Sequence, residues 1–114
     1  MPYLKVQTNI DISLEQQTTL LTGVSTLATQ ALGKPEIYVM VALQPNTPMF
    51  FAGTEQPTAF LELKCIHLST QDTTTLSKSF CAFIEDTLKI PKNRVYIEFI
   101  NAEGALWGWN GRTF

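Results

Sequence analysis

The sequence predicts an α/β fold of the α+β kind: two pseudo-repeated β-α-β units forming one four-stranded mixed sheet with two helices on one face. Three observations carry this expectation. Apolar residues alternate with period two over short runs and with helical period over longer ones, in the order strand, helix, strand, and that order then recurs. In each half the helical run ends at a Pro-containing turn, and a strand with a tyrosine follows; Tyr38 and Tyr96 are 58 positions apart. The chain has 114 residues, enough for one hydrophobic core and too few for two. Both units therefore share a single domain over 1–114, with pseudo-repeats of about 1–57 and 58–114.

Residues 3–8 alternate, with Leu4 and Val6 on one face and Lys5 and Gln7 on the other, which predicts the first strand. Ser13 reads as a helix N-cap with Gln16 three places on, the capping-box spacing. Leu14, Gln17, Leu20, Leu21, Val24, Leu27, Ala28 and Ala31 then recur at helical spacing on one largely apolar face. Gly33 suits the residue after the helix, and Lys34-Pro35 cannot continue it. Ile37 to Leu43 is apolar throughout and predicts the second strand. In the second half, Ala59 to Ile66 alternates as a strand, and the polar run Ser69–Thr75 leads into a helix. That helix carries Leu76, Phe80, Phe83, Ile84 and Leu88 on one face. Ile90-Pro91-Lys92-Asn93 ends it, and Arg94 to Ile100 is the fourth strand. Each unit makes a right-handed crossover between parallel strands, which leaves one sheet face without helices. A second strand apolar on both faces would then be half exposed in a lone chain, so the sequence argues for self-association.

Bulk properties remove several functions. The chain is 45% hydrophobic and 16% charged, a globular balance, and its net charge of −2 comes from scattered residues. No basic block or basic-aromatic stripe calls for nucleic acid. No apolar run approaches membrane-spanning length, and Met1-Pro2-Tyr3-Leu4-Lys5 leads straight into a strand rather than reading as a signal peptide. Cys65 and Cys81 form no CxxC pair and have no His at metal-ligand spacing, so reduced thiols in a cytoplasmic protein are expected. His67, the single histidine, excludes a His-based metal cluster, and no cofactor motif appears.

Met1-Pro2 opening a strand, Gly33-Lys34-Pro35 between helix and strand, Arg94-Val95-Tyr96-Ile97, and the tail Gly108-Trp109-Asn110-Gly111-Arg112-Thr113-Phe114 together resemble the macrophage migration inhibitory factor family of the tautomerase superfamily. The resemblance runs the whole length of the chain. It implies the doubled β-α-β fold assembled as a homotrimer with active sites at subunit interfaces. It also implies cofactor-independent keto–enol tautomerisation of arylpyruvates such as phenylpyruvate, with Pro2 as catalytic base once Met1 is removed. Secretion without a leader follows from family analogy.

The residue types suit that chemistry. Proton transfer between a carbon and a carbonyl oxygen needs a base whose pKa lies near the working pH. Burial or a neighbouring cation lowers an amine into that range. Lys34 is implied as the partner of the substrate carboxylate; it equally complements the C-terminal dipole of the first helix, and both roles are compatible. Ile66 is implied as a backbone amide near the carboxylate, and without the resemblance it reads as strand core. Tyr96 matches a pocket tyrosine reaching in from the adjacent subunit, or else packs across strands. Tyr3, Trp107 and Phe114 match the apolar rim around a small aromatic keto acid, or else lie buried at the interface.

Two positions depart from the mammalian pattern. Glu98 stands where an asparagine edges the pocket, so its carboxylate would repel that of the substrate or pair with Lys34, and reduced activity or a narrower substrate range is expected. The dithiol position falls on Thr58-Ala59-Phe60-Leu61, so thiol–disulfide chemistry is not expected. Beside the enzyme stands the alternative of a cytokine-like signalling or binding protein with vestigial tautomerase activity, for which no receptor-binding motif is legible. A third reading is a trimeric scaffold holding some other small keto acid or aromatic ligand.

Overall fold

The computed structural model describes all 114 residues. Its elements follow the predicted order: strand β1 (Tyr3–Thr8), helix α1 (Leu14–Leu32), strand β2 (Met40–Gln44), strand β3 (Ala59–Ile66), helix α2 (Thr73–Leu88) and strand β4 (Val95–Ala102). A short hairpin, β5 (Gly108–Trp109) with β6 (Arg112–Thr113), closes the chain. The main sheet has the order β2-β1-β3-β4. β1 runs parallel to β2 and β3 parallel to β4, while the central pair β1–β3 is antiparallel. The sheet is therefore mixed, and a pseudo-twofold between β1 and β3 relates the two units.

Local chemistry sets the helix limits. The Ser13 hydroxyl accepts the Gln16 N–H at 3.2 Å while the Gln16 side chain accepts the Ser13 N–H at 3.4 Å, the predicted capping box. Gly33 ends α1 in the left-handed region (φ 64°), donating its N–H to the Thr29 carbonyl. Lys89 does the same after α2 with φ 60°, a position where a side chain is tolerated less readily than glycine. Pro35 and Pro91 each then start a 3-10 turn, Glu36–Tyr38 and Lys92–Arg94.

These turns correct two expectations. The second strand begins at Met40 rather than Ile37, because Pro35 fixes an extended entry and the next three residues close on themselves, the Val39 N–H donating to the Glu36 carbonyl. Tyr38 and Tyr96 are consequently not equivalent: Tyr38 ends a turn, whereas Tyr96 lies inside β4. The prolines, the left-handed caps and the strand starts Tyr3 and Ala59 all repeat at 56 positions.

The core lies between the helices and one sheet face. Leu4, Val6, Leu61, Leu63 and Cys65 meet Leu20, Val24 and Ala28 of α1 and Leu76, Phe80, Ile84 and Leu88 of α2. Each large aliphatic side chain buried there contributes roughly 1.5–3 kcal/mol of transfer free energy. Leu14 is 82% exposed despite its helical phase, although Ile12 just before the helix is buried in the core. At the far end of β1 the Thr8 hydroxyl donates to the Thr58 carbonyl at 2.7 Å, and the Thr58 hydroxyl donates to the Arg94 carbonyl at 2.7 Å. Asn9 accepts the Thr58 N–H, so the two units are tied by polar bonds as well as by apolar contact.

Register places Met40, Ala42, Tyr3, Lys5, Phe60, Glu62, Lys64, Tyr96, Glu98 and Ile100 on the open face. Met40 and Tyr96 are exposed there, beside four charged residues. Phe80→Ala should lower stability by about 3–5 kcal/mol, whereas Leu14→Ala should change it by less than about 0.5 kcal/mol. Urea unfolding midpoints at constant m-value measure both.

Candidate active site

At the N-terminal end of β1 lies a cavity of about 400 Å³, walled mainly by apolar side chains. Met1, Pro2 and Tyr3 enter it from β1, and Ile37, Tyr38, Val39 and Met40 from the turn before β2. Lys64 of β3 is the one charged side chain lining it. The far wall is the C-terminal hairpin, through Trp107, Trp109 and Phe114.

The hairpin exists because Asn110-Gly111 takes positive φ at both residues (52° and 74°), the turn geometry that matches strand twist. It is closed by the Phe114 N–H donating to the Trp107 carbonyl at 3.2 Å. Trp109 and Phe114 stack with centroids 5.8 Å apart, and Tyr38 meets Trp109 edge-on at 5.6 Å. The three rings form a continuous aromatic wall. Gly104 lets the chain end lie back against it, since a Cβ there would fall 2.8 Å from the Phe114 carbonyl oxygen.

Pro2 is fully buried, and its carbonyl accepts the Met40 N–H at 3.0 Å, extending the β1–β2 ladder by one bond. The Met1 α-ammonium has a pKa lowered from its usual value near 8.0. Burial is the main cause, since it disfavours the charged form; the nearby Cys65 thiol opposes the shift and the Lys34 ammonium adds to it. With Met1 attached, the Pro2 nitrogen is an amide and has no basic lone pair.

Of the predicted site residues, Pro2, Tyr3, Trp107 and Phe114 come together around this cavity. Lys34 does not line it; it sits half-buried just after α1, close enough for its charge to act on the N-terminal amine. Ile66 closes β3 near the same end and is 5% exposed; it does not line the cavity. Tyr96 and Glu98 are not part of this cavity. Tyr96 pairs with Phe60, which pairs with Gln7, at the opposite end of the sheet from Pro2, and its ring packs edge-on against Phe51 at 4.9 Å. Glu98 lies exposed in register with Glu62 and makes no ion pair with Lys34. Tyr38, Trp109 and Lys64 are among the lining residues that sequence reasoning did not select. The Asn-Gly pair between Trp109 and Arg112 was the signal for the hairpin, and the phase of Lys64 on β3, shared with Tyr3 across the strand pair, was the signal for Lys64.

Similarity to known proteins agrees with this architecture. The family profile described as "Macrophage migration inhibitory factor (MIF)" matches residues 1–114. The chain belongs to the macrophage migration inhibitory factor family. It is 36% identical over 115 residues to the macrophage migration inhibitory factor homolog of Brugia malayi, covering all of this chain and 99% of that one. It is 35% identical to the macrophage migration inhibitory factor of Meriones unguiculatus over the same spans. Among solved structures, the macrophage migration inhibitory factor homologue from Prochlorococcus marinus superposes with a TM-score of 0.92 at 39% identity, with 98% of each chain covered. The macrophage migration inhibitory factor of Trichinella spiralis gives 0.90 at 32% identity over 98% of this chain and 99% of that one. The mixed sheet and two helices are thus the fold of this family.

The α-amine of a Met1-retaining chain should titrate below its usual value near 8.0. Lys34→Gln should move that titration upward without restoring the usual value, because burial is the larger cause. Amine-detected NMR titration of both chains reads the shift.

Proposed function

We propose that this chain is a keto–enol tautomerase acting on phenylpyruvate-like arylpyruvates, with Pro2 as the catalytic base once Met1 is removed and no cofactor. The observation that carries the reading is the N-terminal nitrogen at the edge of an aromatic-walled cavity, in surroundings that lower the pKa of an amine. Removal of Met1 converts the Pro2 amide to a secondary amine held where Met1 now packs. That amine meets the same apolar walls and the same Lys34 charge, which disfavour a charged amine, and a neutral amine accepts a proton.

The step is a proton shift. Neutral Pro2 takes the proton from the carbon next to the keto group, and electrons move onto the carbonyl oxygen. That oxygen takes a proton from water to complete the enol, while protonated Pro2 returns its proton to solvent and is neutral again. The reverse path returns the proton from Pro2 to carbon. Tyr38, Trp109 and Phe114 wall the aryl ring, Lys34 draws the carboxylate, and the low dielectric strengthens that charge contact.

Tyr96 and Glu98 enter such a site only from a neighbouring copy, so the reading includes a homotrimer with interfacial sites. The exposed apolar residues Met40, Phe50, Tyr96 and Ile100 support an assembly that covers them. Free Cys65 and Cys81 fit a reducing cytoplasm. The curated relatives carry the name of a factor that inhibits macrophage migration. A cytokine-like binding role is therefore the second reading, and it does not need the Pro2 amine.

Pro2→Gly should lower kcat/KM for phenylpyruvate enolisation by at least about 100-fold, the lower bound of general acid–base contributions. Unchanged turnover would remove the enzyme reading and leave the binding one. Glu98→Asn should raise kcat/KM, by no more than roughly fivefold, because an exposed charge contact is worth about 1 kcal/mol at most. Steady-state absorbance of the enol reads both variants.

A further inference from the structure

Lys64 has no established partner in this molecule, and its surroundings ask for one. It lies on the open face of β3, directly across from Tyr3 on β1 and Ile100 on β4. Half-buried, it points its ammonium toward the Tyr3 ring, 5.9 Å from the centroid. The one ion pair in the chain, Lys92–Glu85 at 3.8 Å, is elsewhere on the surface. Glu62 is the nearest acid on the same strand face, two positions away, a spacing of roughly 7 Å along a strand, and Glu98 lies diagonally beyond it. Neither reaches the ammonium, and the remaining lining side chains are uncharged.

An ammonium on the wall of an apolar cavity, with donors left over from its ring contact, is a site for an anion. Lys34 does not line the cavity, although its charge acts on the N-terminal amine. Lys64 comes from a different element and faces the cavity itself. With Lys34 assigned to the keto acid's own carboxylate in the proposed reaction, the anion left for Lys64 is a second one.

We propose that Lys64 binds a second carboxylate of the substrate and selects 2-keto acids that carry one on the aryl ring. The proposal rests on the tautomerase reading for the reacting end alone; the anion site stands on the position of Lys64. Tyr3 supports the ammonium from one side by its ring face, which orients it toward the cavity and leaves its N–H donors for oxygen.

The test compares the Met1-processed protein with Lys64→Gln and Lys64→Arg on phenylpyruvate and 4-carboxyphenylpyruvate. The same three proteins are titrated calorimetrically with the unreactive pair 3-phenylpropionate and 3-(4-carboxyphenyl)propionate. The unaltered chain should favour the dicarboxylate in KM and in Kd. Lys64→Gln should cut that preference about tenfold, the scale of one charge-assisted contact, through KM rather than kcat. Lys64→Arg should retain it. A preference that Lys64→Gln leaves intact, or no preference in the unaltered chain, would overturn the proposal. If neither keto acid turns over, the tautomerase reading fails, and the unreactive pair still decides for or against Lys64.

Discussion

The molecule depends on strand β1 lying inside the sheet, bonded to β2 on one side and β3 on the other. A chain terminus is ordinarily a frayed edge, because nothing opposes its conformational entropy. Here the ladder continues through Pro2, whose carbonyl accepts from Met40. Proline tolerates the first position of a strand because its missing N–H is not needed there. The nitrogen that would carry the chemistry is thus fixed by backbone bonds rather than by its own side chain. The antiparallel β1–β3 pair also brings the C-terminal end of β3, with Lys64 and Cys65, beside the N-terminal end of β1. One register decision assembles the amine, its charged neighbours and the cavity floor.

The aromatic wall adds what the sheet cannot. Trp109 and Phe114 are held by a two-residue turn and a close approach at Gly104, while Tyr38 is presented by the turn that Pro35 starts. These are short, local devices: Gly111 takes a left-handed φ, Gly104 admits the chain end where a Cβ would clash, and Pro35 fixes an extended entry to its turn. Together they enclose the amine in apolar surface and lower the free energy of its neutral form relative to its charged form.

Much of this was legible in the chain. The period-two run 3–8, the Ser13–Gln16 box and the Gly33 stop each act within a few residues, and each appears where the pattern puts it. The start of β2 was less legible, since Ile37-Tyr38-Val39 is apolar in either conformation and only Pro35 distinguishes turn from strand. Tyr38 was matched to Tyr96 for the same reason, when the true repeat relates it to Arg94, which ends the corresponding turn. At the site, Pro2, Tyr3, Trp107 and Phe114 could be grouped by resemblance, but Lys64 and Trp109 depend on which sheet face and which hairpin face a side chain takes. Tyr96 and Glu98 sit on the far strand with no substrate-sized space beside Pro2, so any part they play is a property of an assembly rather than of one chain.

The central claim is that the Pro2 nitrogen, as a free secondary amine in this pocket, is the base. The most direct measurement holds the sequence fixed and changes only that nitrogen: phenylpyruvate enolisation by one preparation before and after methionine aminopeptidase treatment, with intact mass recording the state of Met1. The account predicts background rates for the Met1-retaining chain and catalysis that grows in proportion to the processed fraction. Equal rates from the two forms would contradict it.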